Sequence, residues 1–109
     1  MTRSDEHRIG DILTAAGEPV LIVERGRAAF GTDPILRRAA ERLLEIIGEA
    51  ANLLTEETTS RHPEVPWSDV SRLRIVLAHH YRRVDPDQVW AIATTNVPEL
   101  VTALSATDD

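Results

Sequence analysis

Residues 33–54 read DPILRRAAERLLEIIGEAANLL, and this stretch decides the fold class. Leu36, Ala39, Ala40, Leu43, Ile47, Ala50, Ala51 and Leu54 recur at three- and four-residue spacing, with Arg38, Glu41, Arg42 and Glu45 on the opposite side. That is the period of an amphipathic α-helix. Thr32 or Asp33 ahead of Pro34 supplies a cap followed by proline at the first helical position, where its missing N–H costs nothing. The pattern predicts a helix over about 33–57.

The same period continues outward. Upstream, Ile9, Ile12, Leu13, Ala16, Val20 and Val23 hold helical register, and Ser4 and Asp5 are plausible caps. Gly17 and Pro19 would normally end a helix, yet the apolar register runs through them. One kinked helix over about 4–25 is therefore expected rather than two pieces. A strand at Val20–Val23 is the competing reading, but no partner strand or hairpin signal exists to pair with it. Gly26 to Gly31 reads as a turn.

Downstream, His62-Pro63-Glu64-Val65-Pro66 reads as a stiff linker, because each proline disfavours helix for the residue before it. Trp67-Ser68-Asp69 starts a third helix with Val70, Leu73, Leu77 and Val84 as its apolar stripe. Asp85-Pro86 starts a fourth, carrying Val89, Trp90, Ile92, Ala93, Val97, Leu100, Val101 and Leu104, with Pro98 as a candidate kink. Short connections between long helices favour antiparallel neighbours. The expected fold is a single all-α domain over residues 1–109, an antiparallel up-and-down four-helix bundle with a kinked first helix.

Composition narrows the chemistry. The 109 residues include no cysteine, which excludes disulfides, thiolate zinc sites and cysteine nucleophiles and suits a reducing compartment. No apolar run reaches the roughly 18 residues of a membrane span, so a soluble, cytoplasmic protein that does not enter a membrane is expected. The net charge is −6, and every basic residue is arginine. Residues 61–83 carry five arginines against Glu64 and Asp69, whereas the flanking segments are acidic. An acidic chain is a poor nonspecific partner for nucleic acid. A cationic stretch that also holds His79 and His80 could still grip one phosphate, although a solvated helix face is the plainer reading.

No phosphate-binding glycine loop, HExxH or EF-hand pattern is present. Glu56 and Glu57 read as a solvated helix end, His7 lies near the N-terminus, and His62 reads as a surface residue of the linker. The third helix differs: Arg72-Leu73-Arg74-Ile75-Val76-Leu77-Ala78-His79-His80-Tyr81-Arg82-Arg83 gathers guanidinium, imidazole and phenol groups. Arginine presents a rigid fork to phosphate, and histidine exchanges protons near neutral pH. This inventory suits RNA cleavage by the substrate's own 2′-hydroxyl, without a metal or other cofactor. His80 lies seven residues after Leu73 and reads as a packed structural histidine. Tyr81 flanks the same stripe, Arg82 and Arg83 read as solvated charges, and His79 points away from the stripe. A helical scaffold on which His79 and His80 bind metal only in vitro is a third reading.

Arg74-x4-His79-x-Tyr81 resembles the Arg-x4-6-His signature of HEPN ribonucleases, and more closely the Arg-x4-His-x-Tyr version of the HepT toxins of HepT/MntA toxin–antitoxin pairs. Leu44 to Ala51, His62 to Trp67 and Tyr81 to Trp90 resemble that family in order and spacing. The resemblance implies a dimerising helical bundle with a metal-independent ribonuclease site at the subunit junction. Arg74 and His79 would be the catalytic pair. Tyr81 would be the hydroxyl that a MntA-like nucleotidyltransferase antitoxin modifies with AMP, adding bulk and charge where the RNA phosphate sits. Glu49 is a candidate for orienting an arginine. Ile75 stands where the family often has a polar residue, so the alternative is a degenerate domain that only binds the nucleotidyltransferase.

One geometric tension accompanies this reading. On an ideal helix His79 lies about 140° from Arg74, while Arg72 aligns with it. Three resolutions are open: a helix that loosens near His79, groups converging from two subunits, or Arg72 in the role given to Arg74.

Overall fold

The computed structural model describes residues 3–79 and 85–105. His80, Tyr81 and Val84, and the roles expected of them, lie outside the described residues, as does the side chain of His79. The chain runs through α1 (Arg3–Gly17), α2 (Pro19–Val23), α3 (Arg27–Thr32), α4 (Pro34–Asn52), α5 (Glu56–Ser60), α6 (Trp67–His79), α7 (Pro86–Ala91), a π-helical turn (Ile92–Asn96) and α8 (Val97–Ser105). There is no strand among the described residues. The all-α class holds, and the competing strand at 20–23 is helix.

The deciding stretch behaves as its period requires. Asp33 caps α4 by accepting from the Ile35 backbone N–H at 2.9 Å, with Pro34 at the first position. Ala40, Leu44, Ile47, Gly48, Ala50 and Ala51 are its buried side. Helix α4 is the central element, packing along α6 and along α1, while α8 lies against α1. Ile12, Phe30, Leu44, Ile47, Val89 and Leu104 form the driest part of the core.

Four expectations need correction. The first helix is not one kinked rod: Gly17 ends α1, and α2 restarts at Pro19 after Glu18, whose backbone stays right-handed (φ −86°, ψ −32°). The register survives because only the hydrogen-bond ladder is interrupted, as proline demands. The turn predicted at 26–31 is helix α3, wound around Phe30, which is 1% exposed and packs on Trp90 at a 5.3 Å ring separation. Tertiary burial of one aromatic ring overrides the poor helix propensity of Gly31, while Gly26 stands just before the helix as its N-cap. The long helix predicted to 57 ends at Asn52, and Thr55 starts a separate short α5. Lastly, the described residues divide into eight helices, most of them shorter than the four expected rods, and Leu44, Val70, Leu73 and Leu100 line an apolar cleft of about 280 Å³ between α4, α6 and α8.

Pro98 disturbs the last helix as anticipated, one turn early. It cannot donate to the Thr94 carbonyl, and the preceding turn widens so that the Val97 N–H reaches back to the Ile92 carbonyl. The Thr94 hydroxyl donates to the Trp90 carbonyl at 2.9 Å within the same turn.

Candidate functional site

Helix α6 carries the candidate residues, and its seating begins with Gly48. A Cβ added to Gly48 would lie 2.7 Å from the Arg74 backbone nitrogen, 2.9 Å from the Val70 carbonyl oxygen and 3.1 Å from the Leu73 Cβ. Only a glycine lets α4 and α6 approach this closely. The backbone of Arg74 is therefore held directly against the central helix. Interior glycine normally costs a helix about 1 kcal/mol, so Gly48 within the strongest apolar stripe was the available sequence signal of a close contact.

The N-terminal anchor of α6 is His62, which was read as a surface linker residue and is in fact 4% exposed. The linker folds back: the Trp67 indole N–H donates to the His62 carbonyl at 3.1 Å, and the two rings meet edge to face at 6.3 Å. His62 Nδ1 is buried without a hydrogen bond, 3.9 Å from a Glu64 carboxylate oxygen. Two prolines make the segment stiff enough to be compact, so stiffness did not imply exposure.

A second tie, also unforeseen, comes from Asp5. Read as a cap for the first helix, it lies inside α1, fully buried, and serves another element. Its carboxylate accepts from the Thr55 backbone N–H at 3.2 Å, the Thr55 hydroxyl, and the Thr58 hydroxyl at 2.6 Å. The start of α1 is thus pinned to the start of α5, fifty residues away.

Along α6 the two arginines part company. Val70, Leu73 and Leu77 face the core, and Arg74 lies on the flank of that face, half-buried. Its Nε is buried with no hydrogen-bond partner, and no described carboxylate pairs with the guanidinium. Arg72, Ile75 and Val76 are exposed, the last two at 41% and 38%. The helix is α-helical to His79, so no loosening occurs before that residue. His79 therefore stands five residues past Arg74 on a regular spiral, about 140° round, and two turns along the line of Arg72.

Glu49 does not join this group. It lies on a cleft of about 600 Å³ between α1 and α4, with His7, Arg8, Asp11, Arg42 and Glu45. No hydrogen bond or ion pair links it to Arg74. Among the described residues no cluster of three or more His, Asp or Glu is arranged to hold a metal ion. No described helix is long and apolar enough to cross a membrane. The candidate site is thus a helix face and flank, presenting a guanidinium that has no acidic partner among the described residues.

Comparison with known proteins points to one group. Residues 12–107 match the family model described as "Ribonuclease HepT-like". A protein of Caldanaerobacter subterraneus subsp. tengcongensis, provisionally named an RNase, is 41% identical over 71 residues, covering 65% of this chain and 63% of that one. A provisionally named RNase of Methanocaldococcus jannaschii is 39% identical over 69 residues, covering 63% and 57%. A protein of Thermococcus cleftensis named as a probable ribonuclease HepT is 39% identical over 71 residues, covering 65% and 64%. The matches span somewhat less than two thirds of these relatives' lengths. No solved structure matches significantly.

Proposed function

The chain belongs to the HepT-like ribonuclease family, and from that premise we propose that it is a metal-independent RNA endonuclease, the toxin of a toxin–antitoxin pair. Arg74 and His79 are its catalytic pair, brought together where two copies of the chain meet. The observation that carries this reading is Arg74: a half-buried guanidinium in an acidic chain, its Nε without a hydrogen bond and with no carboxylate among the described residues to neutralise it. Holding an unpaired charge partly out of water is costly, and an incoming phosphate removes the cost.

The chemistry is transesterification. The RNA 2′-oxygen attacks the adjacent phosphorus while the His79 imidazole takes its proton, and the bond from phosphorus to the 5′-oxygen breaks. The 5′-oxygen takes a proton from water as it leaves, His79 returns its proton to solvent, and the other product ends in a 2′,3′-cyclic phosphate. Arg74 stabilises the extra negative charge on the five-coordinate transition state. DNA lacks the attacking hydroxyl and resists.

A junction between subunits supplies what one copy lacks. Within a single regular α6 the two catalytic positions diverge, and Ile75 and Val76 leave an apolar strip on the outer face. A twofold axis beside Ile75, which lies between positions 74 and 79 around the helix, would cover that residue and bring Arg74 of each copy towards the histidine of the other. Control is by a cognate MntA-like nucleotidyltransferase that transfers AMP from ATP to the Tyr81 hydroxyl, releasing pyrophosphate.

Ile75 favours one competing reading, a degenerate domain that binds the nucleotidyltransferase but cleaves nothing, because an apolar side chain is exposed beside Arg74. One experiment separates the two. Unmodified wild type, Arg74→Ala and His79→Ala are expressed without the partner, and growth and RNA integrity are followed. The nuclease reading expects growth arrest and RNA decay for wild type only, unaffected by EDTA in vitro, with products ending in cyclic phosphate. Equal, intact RNA in all three would leave the degenerate reading standing.

A further inference from the structure

We infer that Arg72 is a substrate-binding residue of the same site, anchoring the RNA phosphate next to the scissile one. The inference rests on the ribonuclease reading and adds a subsite to it. Arg72 is exposed on α6 and makes no hydrogen bond or ion pair with a described residue, although Asp69 stands one turn before it. It lies on the exposed side with Val76, opposite the seam that holds Arg74, and Ile75 lies between the two around the helix.

Helix geometry sets its role. Positions 72 and 79 are seven apart, so they share one line along α6 with an axial separation of about 10 Å. Side chains on a helix lean alike towards its N-terminus, so the separation along the axis is kept. A guanidinium two turns before position 79 is set apart from the phosphate on which position 79 acts. It is placed for a neighbouring phosphate on a strand running along the helix. Arg74 lies on the flank and serves the reacting phosphate, which leaves separate work for the two arginines. Arg61 gives an internal contrast, since it is paired with Glu57 at 3.3 Å and stands at the end of α5, off the α6 line.

The test uses the full chain and a fluorescein-labelled single-stranded RNA oligonucleotide. Binding is measured against salt in the His79→Ala background, where the strand stays intact, and cleavage in the wild-type background. Arg72→Ala should weaken binding about 3- to 10-fold and flatten the slope of log affinity against log salt by about 0.7, the loss of one phosphate contact. In cleavage it should raise KM by a similar factor with kcat within about twofold. Arg72→Lys should restore the slope, and Arg61→Ala should leave both quantities unchanged. If wild type cleaves while Arg72→Ala binds with unchanged affinity and slope, Arg72 is a solvated charge and the inference fails alone. If wild type neither binds nor cleaves the RNA, the ribonuclease reading fails and takes this subsite with it.

Discussion

Arg74 and Asp5 are both charged groups withdrawn from water, and they differ in what answers the charge. Asp5 is satisfied by two threonine residues of a distant helix start, so its work is structural. Asp5→Ala would leave the Thr55 N–H and Thr58 hydroxyl unanswered and should cost about 2–3 kcal/mol in urea unfolding followed by Trp67 and Trp90 fluorescence. Arg74 has a buried Nε that no described residue answers. Arg74→Ala should therefore leave stability within about 1 kcal/mol of wild type while lowering RNA cleavage by about 100-fold or more. Glu41 supplies a pH-dependent contrast: burial raises its carboxyl pKa, against the lowering pull of Arg37 and Arg38. A raised carboxyl pKa means the folded state favours the protonated form, so stability falls as pH rises through the folded pKa. Glu41→Gln should be slightly more stable than wild type at pH 7. The advantage should vanish below the ordinary glutamate range, which paired denaturation curves at the two pH values would check.

Helix pairing decides whether these residues are correctly held. The α4–α6 seam depends on Gly48, and Gly48→Ala would place a methyl group inside contact distance of backbone atoms that cannot rotate away. The better helix propensity of alanine, worth about 1 kcal/mol, opposes the strain of overpacking, typically 1–3 kcal/mol. The expected outcome is a modest net destabilisation with a larger loss of RNA cleavage, because the helix carrying Arg74 moves. Cleavage assayed well below the unfolding midpoint would separate these effects. The amphipathic pattern of α4 was legible in its capped start at Asp33-Pro34 and in Ala40, Ile47, Ala50 and Ala51 of its buried side, whereas its end at Asn52 and the burial of Leu44 were not. Helix α3 was not, since Ala28, Phe30 and Gly31 become helical only when Phe30 is enclosed by Trp90. Its C-terminal carbonyls are then closed by Arg37, which donates to the Gly31 oxygen at 2.8 Å.

For the molecule as a whole, the outer face of α6 matters most. Ile75 and Val76 are exposed apolar residues beside Arg72, and the proposed junction would bury Ile75. Ile75→Asp should convert a dimer to a monomer in sedimentation and abolish RNA cleavage together. A variant that stays dimeric and active would show that the copies meet elsewhere. The acidic balance of the chain, −6 in total, adds a further expectation. RNA affinity should depend on the few arginines of α6, with only a shallow salt dependence compared with a broadly basic protein.

Sequence alone determined the helical class, the start and buried side of α4, the start of α6 at Trp67 and the family likeness around Arg74. Each of these is written in local spacing, and spacing survives without knowledge of neighbours. Folding decided the burial of His62, the partner of Asp5, the helicity around Phe30 and the closeness enforced by Gly48. Those depend on groups fifty residues apart, or on two helices arriving at the same place, and no local period records such meetings. The separation of Arg74 from the exposed line of Arg72 stands between the two. Helical arithmetic anticipated the angle, and packing on α4 decided which arginine is half-buried and which remains open to solvent.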